Sequence, residues 1–349
     1  MPRSTSGPPA PAAVLCGLAG WVPPRVVTND ELATRLDTDD AWIRTRTGIR
    51  RRHVAEPGQA TSDLAVEAGR RALDSAGGPP PDTVVVTTTT PDRPCPATAP
   101  VVAARLGLTG AAAFDVGAVC TGFVYGLATA AGLIAAGAAR RVLLVGADTY
   151  STIVDPLDRT NAIIFGDGAG AVVLRAGDPD EPGAVGPFDL GSDGTHEDLI
   201  TVAAGGSRQR STTAEPTHAE RHFAMRGREV YRHAVTRTAA SARTVLSAAG
   251  WQPGDVDHFV PHQANLRILH SVADDLGLPR ERCASHLETV GNTGAASIPL
   301  ALADAVARRR VAPGDRLLLT AFGGGLTWGS CVLTWPSPAD TPRPERITP

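Results

Sequence analysis

The chain of 349 residues predicts an α/β protein in which sheets are layered with helices. β-branched runs alternate with amphipathic stretches rich in alanine and glycine, the pattern of strands covered by helices. A series of elements occurs twice along the chain, at a scale that points to a duplicated half rather than a short solenoid repeat. Apolar residues make up 42% of the chain, enough for the core of one large unit or two fused ones.

Residues 1–12 are Pro- and Ser-rich and read as a disordered tail. The first half is read as 13–180. There DTVVVTTTTP (82–91) reads as a strand, VVAARLGL (101–108) as a helix and Ala113–Val116 as a strand. A glycine turn and a small-residue helix follow (117–139), and RRVLLVGAD (140–148) reads as a further strand. The second half, 181–335, repeats the series. VDHFVPHQA (256–264) holds a strand, LRILHSVADDLGL (266–278) a helix with the same LGL ending, and ETV (288–290) a strand before the GNTG turn. A small-residue helix and the strand RLLLTAFGGG (316–325) complete it, and 336–349 reads as a second disordered tail.

Composition excludes several classes. A net charge of −3 with mixed signs argues against nucleic acid and anionic membrane partners. Five cysteines, an odd and sparse set, form no disulfide framework and suit a reducing, cytoplasmic compartment. No secretory signal is read at the N-terminus. The longest apolar run (132–147) is broken by Arg140 and Arg141, so a soluble protein is expected. No His, Cys and carboxylate residues show metal-ligand spacing, so neither metal nor cofactor is expected.

Chemistry concentrates at three junctions. Cys120 follows a strand and a glycine turn and precedes a helix, where unpaired N–H groups and the helix dipole favour thiolate. His262 follows the strand of VPHQANLRI, and Asn292 sits in GNTG. A nucleophilic sulfur, an imidazole and an amide suggest acyl transfer. If the duplicated halves pack about a pseudo-dyad, Cys120 and Asn292 occupy equivalent places near the centre. Cys16, Cys283 and Cys331 read as structural, and His53, His196, His218, His222 and His233 as surface or satisfied core residues. GDGAG (166–170) lacks the companions of a nucleotide loop and reads as a strand turn. Arg308–Arg310 reads as a solvated helix end.

Six segments in one order resemble β-ketoacyl-ACP synthase III, the initiating condensing enzyme of the thiolase-like superfamily. They are DAWIRTRTGIRRRH, the cysteine segment FDVGAVCTGF, DPLDRTNAIIFGDGAGAVVL, VPHQANLRI, GNTGAAS and AFGGGLTWGS, and the resemblance covers nearly all of 13–335. It implies a five-layered αβαβα thiolase-like fold from two duplicated halves, as an intertwined homodimer. It also implies an acyltransferase that condenses an acyl-CoA starter with malonyl-ACP to 3-oxoacyl-ACP, CO2 and CoA, starting fatty acid or polyketide chains. A priming acyltransferase without condensation is the alternative.

By residue match, Cys120 is the nucleophile and His262 and Asn292 donate to the enolate oxygen. The backbone N–H groups of Cys120 and Gly324 form the oxyanion hole. Trp42, Arg46 and Arg159 hold the adenine and phosphates of CoA, Asn265 and Arg267 line the pantetheine channel, and Phe322 shields the cysteine. Two departures stand out. Cys95, in TPDRPCPATAP, occupies the place of an aromatic that closes the acyl pocket across the dimer. That exchange leaves room for a larger starter, at about 0.8 kcal/mol per buried methylene. Asp274 and Asp275 replace a basic pair used for the acidic carrier protein, with Arg228, Arg232 and Arg267 left to compensate.

Overall fold

The computed structural model describes residues 10–337. The tails read at 1–12 and 336–349 fall largely outside them, and Ala12 already opens the first strand. Strands β1 (Ala12–Trp21), β2 (Thr83–Thr87), β3 (Ala112–Val116), β4 (Arg141–Asp148) and β5 (Gly168–Gly177) form a sheet ordered β1-β5-β4-β2-β3. Strands β6 (Phe188–Ser192), β7 (His258–Pro261), β8 (Arg316–Gly323) and β9 (Thr327–Thr334) form a second, ordered β7-β8-β9-β6. In each sheet a central strand, β4 or β8, runs parallel to one neighbour and antiparallel to the other. The duplication read in the sequence is thus visible in the strand directions.

The copy is incomplete at one place. Leu287–Val290, read as a strand, is a helical turn, and a single parallel bridge between Phe259 and Cys283 is all that corresponds to β3. The cause lies in where the backbone groups of Asn292 go. Its N–H donates to Ile164 O at 2.9 Å and its carbonyl accepts from Gly166 N at 3.0 Å, so the segment pairs with the first half instead of its own sheet.

The helices are α1 (Asp40–Thr47), α2 (Thr61–Ala76), α3 (Ala99–Arg105), α4 (Gly122–Ala135), α5 (Gly227–Ala248), α6 (Leu266–Leu276) and α7 (Ser297–Ala307). Leu64 and Ala68 of α2 and Val102 of α3 pack on Val84, Val86 and Val173 at the outer face of the first sheet. Val245 of α5 and Val272 of α6 pack on Phe259, Leu318 and Val332 at the outer face of the second. Between the sheets, Phe123 and Leu127 of α4 and Ile298 and Leu302 of α7 join Val85, Leu144 and Val172 to Val260, Leu319 and Cys331. The result is five layers, αβαβα. Each of these large side chains contributes about 1.5–3 kcal/mol by leaving water.

Central helices squeezed between two sheets must be apolar all round and slim. That explains the Ala/Gly content of α4, where a Cβ at Gly126 would stand 2.5 Å from Leu144 Cδ1. It also explains Gly146 in β4, where a Cβ would meet Ala295 O at 2.5 Å. Among the described residues no helix is long and apolar enough to cross a membrane.

Gly146→Ala drives a methyl into the backbone of the other half and lowers stability by about 1–3 kcal/mol, measured as a fall in the urea midpoint. Gly254→Ala, where an added Cβ meets nothing within 4 Å, leaves the midpoint unchanged.

Candidate active site

Cys120 sits in the 3-10 turn Val119–Thr121 that links β3 to α4. Val119 holds a φ of 49°, an uncommon conformation for a β-branched residue and one that costs about 1–3 kcal/mol. The turn is held by the Thr121 hydroxyl, bonded to Ala118 O and Thr327 Oγ1. A Cβ at Gly323 would lie 2.9 Å from Cys120 N, so the end of β8 approaches the nucleophile turn as closely as only glycine permits. Gly324 is adjacent, packed against Ile200, with its carbonyl accepting from Thr327 Oγ1.

His262 follows β7, with its N–H on Thr320 O at 2.8 Å and its Nδ1 2.7 Å from Ser297 Oγ at the start of α7. Gln263 N donates to the same Ser297 Oγ at 3.3 Å. The serine can therefore turn its own hydrogen to Nδ1, which leaves Nε2 protonated and able to donate. Asn292 Oδ1 accepts from Gly294 N at 3.0 Å, which leaves the Nδ2 end as a donor. All three side chains line one cavity of about 280 Å³, together with Trp42, Arg46, Asn265, Phe165, Phe223 and Phe322.

The electrostatics correct one expectation. Cys120 was read as a favoured thiolate at a helix start. Burial, reinforced by the nearby Asp148 charge, instead pushes its thiol up to about 12. Burial also lowers His262 to about 4, opposed by the Gly294 backbone. Sulfur and imidazole are both neutral at rest, because desolvation outweighs the dipole of the short turn. Asp148, at the end of β4, is raised to about 7 by burial despite accepting from Ala295 N (2.8 Å), Thr89 N (2.6 Å) and Thr88 Oγ1 (3.1 Å).

At the cavity mouth, Asp39 caps α1 by accepting from Trp42 N at 2.7 Å. The guanidinium groups of Arg46 and Arg159 lie 4.4 and 4.5 Å from the Trp42 ring centroid. Arg159 also pairs with Asp37 at 3.2 Å. Asn265 lines the cavity and caps α6, accepting from Ile268 N at 3.0 Å. Arg228, Arg232 and Arg267 are exposed. Asp274 and Asp275, expected to oppose an acidic partner, are each neutralised, by Arg280 at 2.6 Å and Arg243 at 2.8 Å. Cys95 is exposed and lines no part of its own chain's cavity.

Sequence reasoning missed Ser297, Asp148 and Gly323. The one available signal was an acid, Asp148, closing an otherwise apolar strand. It also expected no metal-ligand grouping, yet Asp155, His218 and His222 converge near the surface, with His218 Nε2 2.9 Å from Asp155 Oδ2. His218 and His222 stand four residues apart, but Asp155 lies 63 residues before His218, and that distance hides the grouping from any local spacing rule.

Family models for the 3-oxoacyl-[acyl-carrier-protein] synthase III and its C-terminal part match residues 114–194 and 246–335. A beta-ketoacyl-[acyl-carrier-protein] synthase III of Streptomyces coelicolor is 59% identical over 325 residues, covering 93% of this chain and 98% of the relative. The chain belongs to the 3-oxoacyl-[acyl-carrier-protein] synthase III family. It is accordingly a condensing acyltransferase with the thiolase-like fold. The crystal structure of the synthase III from Pseudomonas aeruginosa is 52% identical and superposes with a TM-score of 0.87, covering 97% of this chain and 100% of that one. A priming beta-ketosynthase from the R1128 polyketide biosynthetic pathway is 36% identical, with a TM-score of 0.88 over 96% of this chain and 100% of that one.

Two buried groups set opposite pH slopes on synthase stability. Asp148, raised in the fold, binds more protons folded than unfolded, so its contribution falls as pH rises from about 4 to about 7. His262, lowered in the fold, binds fewer, so its contribution rises with pH from about 4 to 6.5. Asp148→Asn should leave a urea midpoint that climbs across this window, and His262→Gln one that declines.

Proposed function

We propose that the cavity loads an acyl group from acyl-CoA onto Cys120 and condenses it with malonyl-ACP. In the first stage Cys120 Sγ bonds to the thioester carbon, the bond from that carbon to the CoA sulfur breaks, and the thiol proton ends on CoA. The N–H groups of Cys120 and Gly324 form the oxyanion hole for the tetrahedral intermediate. In the second stage the malonyl thioester loses CO2, and its enolate oxygen is held by His262 Nε2–H and Asn292 Nδ2–H. The carbanion attacks the acyl carbon, the bond to Cys120 breaks, and the sulfur regains a proton. What supports the reading is the convergence of the sulfur and two neutral donors on one buried cavity. A donor at Nε2 favours condensation over simple acyl transfer, because it serves an enolate, and the Ser297 contact at Nδ1 permits that tautomer.

The Trp42 ring with the free Arg46 charge suits the adenine and phosphates of CoA, with Arg159 closing over the ring. Asn265 and Arg267 line the way inward for pantetheine, and Phe322 covers the sulfur. Arg228 and Arg232 lie one turn apart on α5, close to Arg267 in sequence-adjacent α6, and give an acidic carrier protein a cationic face. Residues 91–97 are all exposed, which fits a loop that completes a partner's acyl pocket with Cys95 in a homodimer. Five free cysteines fit the cytoplasm. Cys95 in place of the aromatic that the family resemblance puts there favours a starter larger than acetyl.

Intact-mass analysis after incubation with mixed acyl-CoAs should show one acyl adduct, absent in Cys120→Ala, with an acyl chain longer than two carbons. Exclusive acetylation would sink the larger-starter reading. His262→Ala and Asn292→Ala should each keep the adduct and lose malonyl decarboxylation by on the order of 10²–10³. Arg228→Glu with Arg232→Glu should raise KM for the carrier protein while leaving acylation by CoA thioesters unchanged.

A further inference from the structure

Tyr150 opens the 3-10 turn that follows β4 and is fully buried. Its ring stacks on Phe165 with centroids 4.4 Å apart and meets Phe223 edge-on at 5.6 Å. Both partner rings line the active cavity. Packing in that trio needs no hydroxyl, and a phenol oxygen buried there costs free energy unless it is bonded. The oxygen has two partners: it lies 3.3 Å from Thr89 Oγ1 and 3.8 Å from Cys120 Sγ. Among the described residues, Tyr150 is the side chain hydrogen-bonded to that sulfur.

The surroundings give the hydroxyl a task. The charge that acts on Sγ is the Asp148 carboxylate, which disfavours an anion on the sulfur. His262 and Asn292, across the cavity, are neutral donors assigned above to the enolate. Among the described residues no cation is among the influences that act on the sulfur, and Arg46, which also lines the cavity, is held on the Trp42 ring. An incipient thiolate therefore needs a donor that is already in place and costs no reorganisation.

We propose that Tyr150 is a further catalytic residue, whose O–H rests on Thr89 and turns about its one C–O bond to donate to Cys120 Sγ as negative charge grows on the sulfur. The assignment rests on the reading of Cys120 as the acyl carrier. Tyr150 donates a hydrogen bond and keeps its proton. Once the sulfur is a thioester it is a poor acceptor, and the hydroxyl returns to Thr89. The same turn serves the sulfur again when it leaves at the end of condensation.

The test is the pH dependence of Cys120 alkylation by iodoacetamide, located by peptide mass, with single-turnover acylation by acyl-CoA measured alongside. Tyr150→Phe keeps the stacked ring, so its thermal midpoint should match the wild type. Its alkylation rate at each pH below about 9 should fall by about ten- to a hundredfold, the profile moving upward by about one to two pH units, the size of a hydrogen bond to a charged group. Acylation at pH 7 should then slow by about tenfold or more. Thr89→Val removes the competing acceptor and should move the profile downward. Coincident profiles for wild type and Tyr150→Phe, or a Thr89→Val profile that follows Tyr150→Phe upward, overturn the role of Tyr150 alone. A wild-type protein that takes no acyl group on Cys120 overturns the carrier reading and this assignment together.

Discussion

Asp148 lies at the end of β4, out of reach of water, and accepts hydrogen bonds from both halves of the chain: Thr88 and Thr89 on one side, Ala295 on the other. Gly294 bends around it with a φ of 57°, and a Cβ there would stand 2.2 Å from Asp148 Oδ2. One carboxylate thus fixes the distance between the turn that follows β4 and the turn that begins α7. Cys120, Tyr150, Asn292 and Ser297 are all hung on those turns or packed against them. An acid held this way is costly to bury, and the fold keeps it because no apolar residue could receive three N–H and O–H donors at the meeting of two copies.

The fold was legible because duplication leaves a mark that composition cannot hide. The strands 140–148 and 316–325 each open on arginine and run on through an apolar stretch, each is preceded by a small-residue helix, and each ends close to glycines. What could not be read was the fate of 288–290. Its residue types suit a strand, and only the pairing of Asn292 with Ile164 and Gly166, more than a hundred residues away in sequence, turns the segment into a helical turn. Local propensity lost there to a long-range ladder.

The candidate site was legible in its residues and not in its electrostatics. Cys120, His262 and Asn292 stand out because each sits in a recognisable turn, the first two shortly after a strand. Protonation of Cys120 and His262 depends on burial, and that of Cys120 also on the Asp148 carboxylate of another strand, none of which is local. The same distance rule explains why Ser297 was passed over: nothing in GAAS says that its hydroxyl meets an imidazole 35 residues earlier. Asp274 and Asp275 add to the same point, since their ion pairs with Arg280 and Arg243 are not part of the local motif.

A sulfur kept as a buried thiol differs from a standing thiolate in what can damage it. The anion is the form that attacks peroxides and disulfides, so a nucleophile that ionises only as substrate arrives stays off the path to sulfenic and sulfinic acids between turnovers. Its protection comes from the protein interior and needs no repair enzyme. Cys95, out in solvent, has no such shelter.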